Sequence, residues 1–137
     1  MQFNLVKKAP RSEARLGEIH TDHGNIHTPV FIPIGTVGTV KGVNTKELDT
    51  VVQSSILLTN TYHLYLRPGT AILEAAGGIH RFIGWNRPVL SDSGGYQVFS
   101  LSENRQLTQE GAYFQSHIDG SRHLFTPEKV INIQRSI

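Results

Sequence analysis

A run of polar and small residues near position 90 has the side chains needed to bind a small polar ligand. Residues 89–97 read VLSDSGGYQ, an acid and a hydroxyl followed by two glycines, an aromatic ring and an amide. An aspartate at the end of a buried strand is costly unless it is paired, hydrogen-bonded or used in chemistry. Glycines admit a ligand or a close backbone, and Tyr96 offers a flat face for stacking. The run suggests the floor of a pocket for a planar ligand; the alternative is a strand that ends in a Ser-Gly-Gly turn capped by Asp92.

Three short apolar segments in the middle of the chain are predicted to be buried strands that would position such a pocket. They cover residues 27–34, 56–58 and 88–90. The first segment is apolar almost throughout, which favours a strand buried on both faces, inside a parallel sheet or barrel. Pro29 and Pro33 are expected at the ends of that strand because proline cannot donate to a ladder.

Helices are expected between these strands. Asn44 followed by Glu47 has the pattern of a capping box and predicts a helix over residues 45–53. Further helical segments are predicted at residues 62–66, 70–76 and 79–83, each followed closely by glycine or proline. The alternation of strands and helices indicates a parallel α/β architecture.

Each predicted strand is followed by polar or glycine-rich residues. Because ligands in α/β folds bind at the carboxyl ends of the strands, Gly35, Asn60 and Asp92 are expected on one rim. The loop over residues 35–42 resembles a phosphate loop only loosely, since it lacks the Gly-Lys-Ser/Thr ending. A plain connection between strand and helix is favoured for that loop.

Antiparallel strands are expected at both ends of the chain. Near the start, residues 3–6 and 14–21 read as strands, and Asp-His-Gly-Asn at 22–25 is a strong hairpin signal. Near the end, a hairpin is predicted from strands at residues 105–108, 112–118 and 123–125. Thr126 and Pro127 then start a helix, with threonine as N-cap and proline at the first helical position.

Length and composition limit the class of protein. The chain has 137 residues, 38% of them hydrophobic and 18% charged, with a net charge of +2 and no cysteine. This profile fits one globular domain and excludes disulfides and thiolate metal sites. The small excess of positive charge permits an RNA partner without arguing for one. Neither a signal peptide nor a membrane-spanning run is visible, so a soluble, cytoplasmic protein is expected.

Histidines and Ser93 are the other residues that could take part in chemistry. His20, His23 and His27 cluster in sequence, but they straddle the predicted hairpin without an acid or thiolate to complete a set, so no metal site is expected. His63 is expected to orient a neighbour or to cap a helix. The hairpin histidines at 117 and 123 are expected on the surface. Ser93 lacks the surroundings of a nucleophile elbow, which argues against a serine hydrolase.

Several long motifs resemble those of the tRNA-guanine transglycosylases, the queuine tRNA-ribosyltransferases. The run LSDSGGYQVFSL at residues 90–101 closely resembles the family's signature, and TNTYHLYLRPG at residues 59–69 is similar to its second signature. TPVFIPIGT at residues 28–36 resembles the first barrel strand and its loop. The hairpin ending in Asp-Gly-Ser at 119–121 is also similar. The Gly-Tyr pair at 95–96 looks more like the bacterial and eukaryotic forms than the archaeal one.

The resemblance implies a fold and an assembly. The expected fold is the N-terminal part of a (β/α)8 TIM-type barrel preceded by a small antiparallel β-sheet. Residues 1–28 would form the antiparallel region and residues 29–137 the first barrel units, with a hairpin insertion near 105–125, as one partial domain. Family members carry a structural zinc ion whose ligands are absent from this chain, and no cofactor is expected here. The parent enzyme is expected to be a homodimer.

The resemblance also implies a reaction, the exchange of guanine at the tRNA wobble position for a 7-deazaguanine base (preQ1 or queuine) in queuosine biosynthesis. The partners would be tRNA and the free base. A later aspartate attacks the ribose, and Asp92 corresponds to the acid beside the base, which accepts a proton and contacts the purine. The other implied substrate-binding residues are Ser93, Gly94 and Gly95 lining the base, Tyr96 stacked on it, and Asn60 near the nucleophile.

Family members are much longer, so the resemblance implies an N-terminal fragment of the enzyme that is inactive alone. Its nucleophile and zinc ligands would lie beyond Ile137. Two alternatives stay open, namely a non-catalytic subunit that binds RNA or a catalytic partner, and a stand-alone purine-binding module. In the longer protein, Asp92→Asn is expected to nearly abolish base exchange while leaving the fold intact.

Overall fold

A computed structural model describes residues 1–102 and 104–137 of the chain. These residues form a mixed α/β structure with three small sheets, in which β1-β2-β3 and β6-β7-β8 are antiparallel and β4-β5 is parallel. The strands are β1 (Gln2–Lys8), β2 (Arg15–Thr21), β3 (Gly24–Thr28), β4 (Leu57–Thr59), β5 (Val89–Ser91), β6 (Arg105–Leu107), β7 (Ala112–Gln115) and β8 (Arg122–Phe125).

The helices are short and lie mainly between the strands. They are α1 (Thr45–Thr50), α2 (Thr61–Leu66), α3 (Thr70–Ala76), α4 (Ile79–Ile83), α5 (Gly95–Leu101) and α6 (Pro127–Ser136). The capping box before α1 forms as the sequence predicts, with Asn44 and Glu47 exchanging side-chain and backbone hydrogen bonds. Within the described residues, no helix has the length and apolar content needed to cross a membrane.

The mixed α/β class with small antiparallel sheets is confirmed, but the strand predicted over residues 27–34 is wrong. Strand β3 ends at Thr28, and only Ile34 joins the parallel pair, through one bridge to Leu58. Pro29 and Pro33 explain the break, because neither has an N–H to donate to a ladder. Nor is the segment buried on both faces, since the side chain of Phe31 is 82% exposed.

Strand β5 is less buried than the sequence suggests, because Leu90 is 45% exposed. Leu90 lies opposite Leu58 of β4, which in turn lies opposite Ile34. These three aliphatic residues form one row across the parallel strands, and we call it the Ile34–Leu58–Leu90 row. The described residues contain two paired parallel strands and this bridge, and no closed barrel.

Two further boundaries differ from the sequence prediction. The predicted helix continues to Gln53, whereas α1 ends at Thr50. Gln53 has a positive φ of 53°, which is incompatible with right-handed helical backbone. Strand β7 ends at Gln115, three residues before the predicted end. There the Ser116 hydroxyl accepts a hydrogen bond from the N–H of Ile118, which closes a turn in place of a longer ladder.

Buried apolar clusters fix the helices against the sheets. One cluster joins α2, α5, α6 and the β6-β7-β8 sheet through Tyr62, Val98, Phe114, Phe125 and Ile133. A second packs helix α1 and strand β4 around Trp85, and a third packs α2, α3 and α4 together. The first cluster lies beneath the start of α2 and α5, and therefore fixes the two helix N-termini that meet at Asp92.

Candidate functional site

Asp92 directly follows β5, and its carboxylate accepts four hydrogen bonds. Oδ1 accepts from the backbone N–H groups of Thr61 at 2.9 Å and Gly94 at 3.1 Å. Oδ2 accepts from Asn60 Nδ2 at 2.6 Å and Gln97 Nε2 at 2.9 Å. A carboxylate offers about four lone-pair sites in all. The half-buried carboxylate is therefore saturated by donors from its own chain.

The parallel register explains why Asn60 and Asp92 meet. Thr59 of β4 lies opposite Ser91 of β5, so the next residue of each strand leaves the sheet at the same edge. Side chains alternate along a strand, which places Asn60 and Asp92 on the same face as the Ile34–Leu58–Leu90 row. The rim predicted from the sequence thus brings these two polar residues together at the carboxyl ends of the strands.

Asp92 also ties together the helices that start at this edge. Thr61 is the first residue of α2 and Gly94 is the N-cap of α5, so Asp92 satisfies a free N–H at the start of each helix. From α6, Gln134 Nε2 donates to the carbonyl of Asp92 at 2.9 Å. The Thr61 hydroxyl donates to the same carbonyl oxygen. The residue is consequently a structural junction as well as a candidate reactive group.

The two glycines of the motif have different roles in the structure. Gly94 is buried, has a φ of 73°, and a Cβ there would lie 3.0 Å from the backbone nitrogen of Tyr62. Gly94 is thus required by the fold itself. Gly95 is exposed, and a Cβ there would meet only the Ser93 hydroxyl, at an ordinary 3.5 Å. The fold therefore leaves open space beside Gly95.

Ser93 and Tyr96 lie on the exposed side of the same turn. The ring of Tyr96 is 76% exposed, so one face of it is free to meet a partner. The Ser93 hydroxyl accepts a long hydrogen bond of 3.4 Å from the N–H of Gly95. Gly35 lies at the same sheet edge, where its N–H donates to the carbonyl of Leu58 at 2.7 Å.

Histidine and tyrosine side chains connect α2 to the β6-β7-β8 sheet. Tyr62 OH lies 2.9 Å from His117 Nδ1, and Tyr65 OH lies 3.0 Å from His123 Nδ1. Both histidines thus contact tyrosine hydroxyls; His117 is exposed, as the sequence predicts, whereas His123 is half-buried, which corrects the surface expectation for that residue. Burial lowers the pKa of His63, and the nearby His117 imidazole lowers it further, while the charge of Asp92 acts in the opposite direction.

His20 and His27 contact neighbours within their own N-terminal sheet. His20 lies 3.0 Å from Asn4 and 2.9 Å from Asn25, and His27 lies 3.8 Å from Glu18. Across the described part of the chain, no group of three or more His, Cys, Asp or Glu side chains has the arrangement needed to hold a metal ion.

Sequence reasoning missed three residues that contact Asp92, namely Thr61, Gln97 and Gln134. Gln97 stands at the end of the glycine motif, but the sequence prediction has no helix there, and it is α5 that brings Gln97 back to the preceding turn. Thr61 could have been found as the helix start that follows Asn60. Gln134 carries no such signal, because its contact depends on how α6 packs.

Comparison with known proteins identifies the family. The family model described as queuine tRNA-ribosyltransferase matches residues 10–137. Proteins named queuine tRNA-ribosyltransferase from Thermoanaerobacter pseudethanolicus and Halothermothrix orenii are 56% and 51% identical over the whole chain. One from Ruminiclostridium cellulolyticum is 53% identical over 98% of it. The chain covers 36% of the length of each of these relatives. The chain belongs to the queuine tRNA-ribosyltransferase family.

Proposed function

We propose that this chain supplies half of the base site of an enzyme that exchanges guanine at the tRNA wobble position for a 7-deazaguanine base such as preQ1. The observation that carries the proposal is the match of the whole chain to relatives named queuine tRNA-ribosyltransferase. The polar site at Asp92 lies at the carboxyl ends of parallel strands, where ligands bind in α/β barrels.

The Ile34–Leu58–Leu90 row supports completion of the parallel sheet into a (β/α)8 barrel. Ile34 is 57% exposed and Leu90 is 45% exposed, although the two residues flank Leu58 of β4, Ile34 through one bridge and Leu90 as part of β5. Parallel sheets are usually covered on both faces. Further strands of a longer protein would cover this row, and Asp92 and Asn60 would then stand at the mouth of the barrel.

The base would bind along residues 93–96. A flipped-out purine needs a stacking face and polar groups at its edge. The exposed ring of Tyr96 supports the first role, and the open space beside Gly95 supports close approach of the base. Ser93 is exposed on the same turn. Gly94 would shape this wall rather than touch the base, since its own packing against Tyr62 requires a glycine.

Asp92 would contact the purine edge and accept a proton from the base. Glycosyl exchange needs a carboxylate nucleophile on the ribose and a second group that moves protons on the leaving or entering base. Asp92 suits the second task because it lies at the strand ends next to the open turn. Asn60, which donates to Oδ2, would orient the carboxylate. The nucleophilic aspartate would be supplied by residues outside this chain.

Zinc and the homodimer belong to the proposal for the longer protein. The described residues offer no set of three or more metal ligands, and the chain has no cysteine. We therefore assign no structural zinc ion to the described residues, and no step of the reaction to such an ion. Its ligands, most of the tRNA surface and the dimer contact would lie elsewhere, and action in the cytoplasm on tRNA stays a prediction.

Exchange of labelled guanine into tRNA tests the proposal. The chain, which aligns with the Thermoanaerobacter pseudethanolicus relative over all of its 137 residues, would replace the matching segment of that relative. We expect the chimera to incorporate guanine and the chain alone to incorporate none. Incorporation by the chain alone would contradict the division of the site. A folded chimera without exchange, beside an active parent relative, would contradict the function.

The same samples separate the two alternative functions. Calorimetric titration of the chain alone with guanine and with 7-aminomethyl-7-deazaguanine would reveal a purine-binding module, whereas half a site should bind neither base measurably. If the chain alone bound tRNA with the affinity of the full-length relative, a non-catalytic RNA-binding subunit would be favoured.

A further inference from the structure

We infer that Gln97 is a positioning residue that holds the Asp92 carboxylate in the empty site and releases Oδ2 when a base binds. This inference rests on the proposed function, because it concerns how Asp92 becomes available to a base. It starts from the saturation of Asp92 by four donors of its own chain. A fifth donor from a ligand can approach only if one of the four withdraws.

The donors on Oδ1 are fixed by the backbone. Thr61 N–H belongs to the first residue of α2, and Gly94 N–H belongs to the N-cap of α5. Withdrawing either one would require a helix N-terminus to move and would leave an N–H without an acceptor. The exchangeable position is therefore Oδ2, where both donors are side-chain amides.

Between these two amides, Gln97 is the one that can leave. Asn60 is only 8% exposed, has the shorter side chain, and lies 2.6 Å from Oδ2. Gln97 has one more rotatable bond and a longer contact of 2.9 Å. The extra bond gives its amide positions away from the carboxylate that Asn60 does not have.

The other end of the Gln97 amide supports the same choice. Its Oε1 is buried and has no hydrogen-bond partner among the described residues. A buried acceptor without a partner typically costs about 1–3 kcal/mol, so this amide is not fully satisfied while it is bound to Asp92. Rotation away from Asp92 loses one hydrogen bond but frees Oε1 to reach water or a donor on the base.

At Gln97, binding of the base changes hydrogen bonds only. A base N–H takes the place of the Gln97 N–H at Oδ2, and when the proton moves, the N–H bond of the base breaks and an O–H bond forms on Asp92. The amide of Gln97 neither gains nor loses a proton. Its role is to keep the Asp92 carboxylate aimed at the rim until the base arrives.

Two variants in the chimera test this role, Gln97→Glu and Gln97→Met, with the exposed Gln106→Met of strand β6 as a matched control. Gln97→Glu faces Asp92 with a second carboxyl group, and two adjacent carboxyls take up a shared proton as the pH falls. The shared proton restores a donor to Oδ2. We therefore expect guanine exchange relative to the unmodified chimera to be lowered about tenfold at pH 7.5, the effect of one charged hydrogen bond. The deficit should shrink towards pH 5.5.

Gln97→Met removes the donor at every pH, so its deficit should be the same at both pH values and should affect kcat more than KM for tRNA. Melting temperatures show whether each variant is folded. If Gln97→Glu does not fold, Gln97→Met provides the test. Exchange rates in both variants that equal the rate of the unmodified chimera would overturn this inference but not the proposed function. A deficit in Gln97→Glu that does not depend on pH would do the same. A folded but inactive unmodified chimera would overturn the proposed function and this inference with it.

Discussion

The side-chain amide of Asn60 lies 2.6 Å from the carboxylate of Asp92, although the two residues are separated by 31 others and follow different strands. The contact depends on the parallel register of β4 and β5, which ends both strands at one edge. The candidate site therefore depends on the pairing of β4 with β5, because this pairing brings the two residues together.

The dual role of Asp92 predicts that Asp92→Asn weakens the fold. An amide in its place turns one acceptor into a donor that faces the N–H groups of Thr61 and Gly94 or the amides of Asn60 and Gln97. We expect a loss of about 1–3 kcal/mol in the free energy of unfolding, typical of an unpaired buried polar group. Urea unfolding measures it. We expect this loss of stability in an otherwise intact fold, and unchanged stability would contradict the structural role.

The two glycines should respond differently to alanine. Gly94→Ala places a Cβ against Tyr62 at a φ of 73°, so we expect a loss of about 1–3 kcal/mol of stability. Gly95→Ala lies at a helix start with free space around it, and stability should change by less than about 1 kcal/mol. In the chimera, Gly95→Ala should still lower the affinity for the base. Equal destabilisation by both variants would refute this distinction.

Stability of the chain should fall in mild acid. Burial lowers the pKa of His80, as does the His23 ring stacked 3.8 Å from it, and the pKa values of His63 and His123 are also lowered by burial. Lowered values mean that the folded state binds protons less readily than the unfolded chain. The contribution of these residues is thus fully present above the unfolded pKa of about 6.5 and is lost as the pH falls through the folded pKa.

His80→Gln checks this pH dependence directly. Unfolding by urea would be followed at pH 7.5 and at pH 5.0 for both proteins. The variant should lose less stability between the two pH values than the unmodified chain, because one of the three contributing groups is gone. The same loss in both would show that His80 does not contribute.

The tyrosine hydroxyl of Tyr62 should contribute modestly to the connection between α2 and the β6-β7-β8 sheet. The ring is fully buried, whereas its partner His117 is exposed and can bind water instead. Tyr62→Phe should cost about 0.5–1.5 kcal/mol, the value of one net hydrogen bond. Tyr113→Phe is the matched control, since its hydroxyl donates to Glu110 from a ring that is 40% exposed. A larger effect in the control than in Tyr62→Phe would contradict the assignment.

Local signals in the sequence predicted much of this structure. The capping box at Asn44, the Gly77 C-cap of α3 and the Thr126 cap of α6 each depend on residues within a few positions, and each forms. The convergence of Asn60 and Asp92 was also predictable, since strand ends in a parallel sheet share an edge.

Features that depend on tertiary packing were not predictable. The apolar run after Thr28 reads as a strand, but Pro29 and Pro33 interrupt its ladder, and among the described residues only Ile34 forms a bridge. The contact of Gln134 with the Asp92 carbonyl depends on how α6 lies across the sheet. Engagement of His117 by Tyr62 joins residues 55 positions apart and leaves no periodic trace.

The central claim is that Asp92 works on the base in an exchange reaction that this chain cannot complete alone. The most direct measurement is the initial rate of labelled guanine incorporation into tRNA by the chimera with Asp92 and with Asp92→Asn, at a temperature where both are folded. The account predicts incorporation by the first and a loss of more than about a hundredfold in the second, as expected for a group that transfers a proton. A folded Asp92→Asn chimera with near-normal turnover would contradict it.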